Sequence, residues 1–275
     1  MSILVRKPRF ELPEAIDPVF IPGEPEESYI NVALSILLPH LEPYLIRTMR
    51  TARPQVKDAA LAAELDAFCG QEGQHYRAHA ELNAALVRGG ARGFEDLERE
   101  LAADYHRFES ERPLRFNLAY AEGFEALTTA IALVFEEHDR SRWDPPVHDV
   151  FLWHILEELE HRTVAFEVYD HVVGSYLYRV CVGAFAQWHL IRFLVRGMEA
   201  MLAADPRTET EFGGRNGRKA REPRLVAMLT KKVLPRLWRT YSPRYTPRDI
   251  EMPLSMQQLA DHYTARSTLR ARPTA

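Results

Sequence analysis

Between about residues 28 and 204, apolar side chains recur at spacings of three and four, and no stretch shows the strict alternation of a half-buried strand. The spacing predicts helices over 28–52, 56–88, 113–138 and 146–173, the last continuing or kinking at Gly174 into a fifth that runs to about 203. Asp58 is placed to cap the second helix, and Gly89 and Gly90 to stop it. Prolines crowd the two ends of the chain, at 8, 13, 18, 22 and 25 and again at 235, 243, 247 and 253, and are sparse between. An all-α protein follows.

The links between the predicted helices are unequal. The first and second, and the third and fourth, are joined by short segments, whereas about two dozen residues with their own short helix near 94–108 separate the second from the third. Two helical hairpins with one long crossover is the connectivity of ferritin-like four-helix bundles. The predicted organisation is an irregular lead-in (1–27), a helical bundle with a fifth helix (28–204) and a basic extension of additional C-terminal helices packed on it (205–275).

Polar residues interrupt the apolar stripes at matching places. On the second helix Leu61, Leu65, Phe68, Glu72, His75, His79, Leu82 and Leu86 fall on one face. On the fourth, Phe151, His154, Glu158, His161, Ala165, Val168 and Val172 do the same. The third places Glu125 between Ala121 and Thr128, and the first places Glu42 between Leu38 and Leu45. Four carboxylates buried without partners would cost more than the roughly 5–15 kcal/mol that holds a domain together. Two divalent cations balance them, and a Glu from each of two helices with a Glu-x-x-His from each of the other two is the inventory of carboxylate-bridged dimetal bundles.

Some assignments stay open on this reading. Pro39 and Pro43 flank Glu42, so the first helix starts or kinks there and Glu27 is the alternative ligand; Glu122 is the alternative to Glu125. His79 and His154 lie one turn from ligands and are outer-sphere groups, extra ligands or satisfied core histidines. Glu157 and Glu160 are expected to face solvent or basic side chains, and Cys69 to be buried as a small apolar residue.

Composition narrows the setting. Apolar residues are 46% and charged residues 27%, which excludes wholesale disorder and a disulfide scaffold, and the two cysteines with no apolar leader predict a soluble, cytoplasmic protein. The apolar stretch 174–203 is interrupted by Arg179, Arg192, Arg196 and Glu199 and is too short of charge-free residues to cross a bilayer. Net charge is −4, yet residues 214–248 hold eleven Lys or Arg against the one acid Glu222. That basic segment is read as docked on the acidic body in preference to nucleic acid; peripheral membrane contact through 225–241 is the less favoured alternative. A homodimer through the 174–203 helix is a further expectation, from apolar surface that a four-helix core leaves uncovered.

The strings FCGQEGQHYRAH (68–79), FEALTTA (124–130), WHILEELEHRTVAFEVYDHVVGSYLYR (153–179) and EPYLIRTMR (42–50) resemble the ferritin-like bacterial family of predicted metal-dependent hydrolases. The resemblance covers about 40–190 and implies Glu42, Glu72, His75, Glu125, Glu158 and His161 as metal ligands, with His154 matching the family's tryptophan-adjacent histidine. Pro43, Glu167 in place of the commoner Asp, and the lack of a histidine beside Glu125 depart from the family's pattern.

The expected cofactor is a pair of divalent ions, iron first, with manganese or zinc as alternatives. Such a pair opens two chemistries on a small-molecule substrate. One is dioxygen-dependent oxidation of a small or apolar molecule, which the carboxylate-rich ligand set favours; the other is hydrolysis of an ester, amide or phosphoryl group by metal-activated water. His154 and His79 are the candidate catalytic groups: in oxidation either would tune the metals or shuttle protons, in hydrolysis His154 leads as general acid or base, and metal storage or a membrane- or partner-binding role is the non-enzymatic alternative.

Overall fold

The computed structural model describes residues 3–137 and 140–268, so the predicted end of the third helix at 138 and the last residues of the basic extension lie outside the described residues. All regular structure among them is helical. Helices α1 (Pro25–Ala52), α2 (Ala59–Arg88), α4 (Leu114–Glu136) and α5 (Pro145–His161) form the body, with α3 (Glu95–Glu111) in the long crossover. The body is closed as a ring: α1 packs on α2, α2 on α5, α5 on α4, and α4 on α1. Helix α7 (Tyr176–Ala204) lies over α1 and α4.

Local chemistry explains the boundaries. The Asp58 carboxylate accepts the amides of Ala60 and Leu61 at the start of α2, and the chain leaves that helix through Gly89 and Gly90. Helix α1 begins at Pro25 and continues through Pro39 and Pro43, so it does not start there. A proline lacks the N–H that would bond the carbonyl four residues earlier. For Pro39 that carbonyl belongs to Ser35, and the Asn83 side-chain amide of α2 donates to it at 2.8 Å.

The predicted fourth helix divides instead. Arg162 and Thr163 form a turn between α5 and α6 (Val164–Val172), although no Gly or Pro marks the place. The Arg162 guanidinium reaches out to the Ile250 carbonyl and ties the C-terminal segment to this break. Gly174, at φ +65°, ends α6 and turns the chain into α7.

The lead-in strap wraps the body, burying Ile16, Val19, Phe20 and Ile21. Beyond α7 come α8 (Arg207–Thr210), α9 (Gly214–Met228), a π turn at Leu229–Val233, α10 (Leu234–Arg239) and α11 (Leu254–Thr268). Basic side chains of this region pair with acids of the body: Arg218 with Glu199, Arg221 with Glu26, Arg236 with Glu137 and Arg248 with Glu167. Two stretches, Pro25–Gln55 and Leu114–Glu136, are long and apolar enough to cross a membrane by length alone, but both are largely buried core helices.

Candidate metal centre

Six of the predicted ligands meet in the middle of the ring. Glu42 comes from α1, Glu72 and His75 from α2, Glu125 from α4, and Glu158 and His161 from α5; none is more than 3% exposed. Among the described residues three groups of ligand atoms lie within 4.8 Å of one another: Glu42, His75 and His154; Glu72, His75 and Glu158; and Glu72, Glu125 and His161. Glu27 joins none of these groups, and Glu122 instead pairs with Arg179 on α7 at 2.8 Å.

The polar atoms facing the middle lack hydrogen bonds. Both carboxylate oxygens of Glu42 and of Glu125, one each of Glu72 and Glu158, Nδ1 of His75 and Nε2 of His161 are buried without a hydrogen-bond partner, their nearest polar neighbours being one another, with His161 Nε2 at 3.3 to 3.5 Å from Glu72, Glu125 and Glu158. Buried polar groups are nearly always satisfied. Eight orphaned atoms converging on one place, all of them metal-ligand types, are a donor set that fits cations.

The outward sides of the same imidazoles are satisfied, and this fixes their orientation. Gln71 donates its Nε2 to Glu160 at 2.9 Å and to the Leu4 carbonyl at 3.1 Å, so its Oε1 accepts from Nδ1 of His161 at 3.0 Å. Glu157 accepts from Trp153 Nε1 and Arg6 on one oxygen, and its other oxygen lies 3.2 Å from Nε2 of His75. Each histidine thus spends one ring nitrogen outside the cluster and aims the other inward, the usual outer support of metal-bound histidine. Arg6 completes the support with a two-pronged contact to Glu160, both distances 2.8 Å.

Glu157 and Glu160 therefore do not face solvent. They are buried and meet the basic group of Arg6, with burial pushing the Glu157 carboxyl up to about 8 against the pull of Arg6. The seam Trp153, Glu157, Glu160, Val164, at steps of four, three and four, is the signal in the sequence that marks this second inward face. Arg6 itself sits alone in an irregular strap and carries no such signal.

His154 and His79 extend the cluster toward the surface. Asn83, its amide held by the Ser35 carbonyl, accepts from the Ser35 hydroxyl at 2.5 Å, so Ser35 in turn accepts from Nδ1 of His79 at 2.8 Å. Nε2 of His79 is 2.7 Å from Nδ1 of His154, and burial, helped by His154, holds the His79 pKa well below its ordinary value. A neutral His79 accepts there, so His154 donates from Nδ1 and turns Nε2 to the cluster, 3.0 Å from Glu158 and 3.8 Å from Glu42. With a cation among these groups, Nε2 would be a further donor to it.

Electrostatics describe the same centre from the proton's side. Burial, reinforced by Glu158 and Glu125, holds Glu42 well above the ordinary carboxyl range, and burial with Glu42 does the same for Glu72. Burial and Glu158 raise Glu125 to about 7. Burial acts against ionised Glu158 too, but His161 and His154 outweigh it and hold that carboxylate well below the usual range. Burial would likewise discharge His161, yet Glu158 and Glu125 keep its pKa well above normal. Protons occupy the charge balance that metal ions would supply, and metal binding must displace them.

The family model described as predicted metal-dependent hydrolase matches residues 4–251. The chain belongs to that family. The match takes in the lead-in strap with Arg6 and all four body helices of this metal-dependent hydrolase family member. The chain matches no curated protein and no solved structure.

Proposed function

We propose that this member of the predicted metal-dependent hydrolase family is a dinuclear metal enzyme built on a ferritin-like bundle. The observation that carries the reading is the convergence of orphaned buried ligand atoms from four helices. Glu125 and His161 would hold one ion, and Glu42 and His75, with His154 beside them, the other. Glu72 and Glu158 would bridge, because Glu72 shares groups with both histidines and Glu158 lies 3.4 to 3.7 Å from both. Four carboxylates against two divalent ions leave no net charge in the core.

A carboxylate-rich pair of iron ions supplies dioxygen reduction and substrate oxidation, and this is the chemistry we favour. Enclosure supports it. None of the six ligands is more than 3% exposed, so the centre suits dioxygen and a small or apolar substrate better than a bulky polar one. His154 and His79 would hold and pass protons beside the centre, with the Ser35 hydroxyl and Asn83 setting the tautomer of His79.

The family description favours a second reading, in which the same residues would hold the ions, the ions would supply activated water for hydrolysis of an ester, amide or phosphoryl group, and His154 would be the acid or base. Chain purified aerobically and anaerobically separates the two. Oxidation predicts bound iron, and oxygen consumed when the reduced protein meets air. Zinc or manganese, with turnover of ester or phosphoester substrates unaffected by removal of oxygen, would overturn it in favour of hydrolysis.

A further inference from the structure

Helix α7 buries one face, through Val182, Ala186, Leu190, Phe193, Met198 and Met201, against α1 and α4. Its opposite face is apolar as well and lies open. Leu177, Cys181, Ala184, Trp188, Ile191 and Val195 are all exposed, Leu177 by 72% and Trp188 by 57%. Their steps are 4, 3, 4, 3, 4, the seam of a helix that packs lengthwise on another helix.

We propose that this seam pairs with the same seam of a second copy of the chain, antiparallel and across a two-fold axis. The sequence of steps reads the same in both directions, which is what an isologous contact requires. With the axis midway between Ala184 and Trp188, Leu177 falls opposite Val195 of the second copy, Cys181 opposite Ile191, and Ala184 opposite Trp188. Each large side chain meets a smaller one, so the two indoles fill the space left by the two alanines. A parallel pair would set Trp188 on Trp188 and Ala184 on Ala184, crowding one layer and emptying the next.

The area agrees. The six side chains leave roughly 500 Å² of apolar surface per protomer, above the few hundred that a monomer ordinarily exposes in one patch. Pairing would remove at most about 1,000 Å² from these side chains, and flanking contacts carry it past the lower limit of a specific interface. The metal centre lies on the other side of α1 and α4 from this seam, so the dimer does not depend on the functional reading above.

Light scattering on the full chain tests the association, and disulfide trapping tests the register. The expected mass is twice the 31.7 kDa chain, reduced to one chain in Trp188→Glu with the helical signal unchanged. Under mild oxidation Ile191→Cys is expected to cross-link two chains through Cys181, and adding Cys181→Ser to abolish the cross-link. In the proposed register the two native Cys181 residues lie about 15 Å apart along the axis, so the native chain does not cross-link. A monomer at about 50 μM overturns the proposal, as does efficient cross-linking of the native chain through Cys181, which requires a parallel pair or a different antiparallel register.

Discussion

Around His161 and His75, the outward hydrogen bonds carry as much information as the inward ligands. Gln71 is held from two sides, by Glu160 and by the Leu4 carbonyl, so its carbonyl oxygen is free only for His161. Replacing such outer partners typically weakens metal binding about 10–100-fold. Gln71→Leu is therefore expected to lower metal affinity by about that factor while the chain stays folded, read by competition with a chromophoric chelator. Affinity equal to that of the native chain would show that the Gln71 contact does not orient the imidazole. At this scale the sequence was readable where the partner lay on the same helical stripe. Glu72 with His75 and Glu158 with His161 announce themselves by phase, whereas Arg6, which ties Glu157 and Glu160 to the strap, is about 150 residues away in sequence from both and has no pattern around it.

Between elements, α4 and α7 show how a close contact shapes an ionisable group. Gly123 and Gly183 allow the backbones to approach so closely that a Cβ built on Gly123 would lie 2.3 Å from the Gly183 Cα. The Glu122 carboxyl is sealed beside this contact with Arg179, and burial pushes it up from 4.5 to about 7 despite the guanidinium. A carboxyl whose folded pKa is raised binds more protons in the folded state, so its share of stability is present below the unfolded pKa and is lost as pH rises through the folded one. Between about pH 4.5 and 7, the native chain is expected to lose stability relative to Glu122→Gln as pH rises, in urea unfolding at several pH values. A profile that does not fall across this window would show that Arg179 keeps Glu122 ionised throughout. Helix ends were legible wherever a capping residue marks them, as at Asp58, Gly89 and Gly174. The division between α5 and α6 was not, because its cause is tertiary: the turn at Arg162 and Thr163 is fastened to Ile250, far along the chain.

For the whole molecule, the two hairpins and the long crossover followed from link lengths and periodicity, and the ring of α1, α2, α5 and α4 has that connectivity. The placement of the strap and of α11 was not visible in the pattern: beside their buried side chains, the contacts that fix where they sit are polar and far apart in sequence, Arg6 to Thr264, and Tyr263 and Arg266 to Asp149. These contacts hold the strap and α11 to each other and α11 to the helix that carries Glu158 and His161, so the periphery supports the centre. The central claim is that four buried acids are tolerated because two cations lie among them. Elemental analysis of chain purified without added metal, set beside the Glu72→Gln and Glu158→Gln double variant, tests it most directly. The account predicts about two transition-metal atoms per native chain and less than one in the double variant; a native chain that is folded, thermally as stable after exhaustive chelation as before, and free of stoichiometric metal would contradict it.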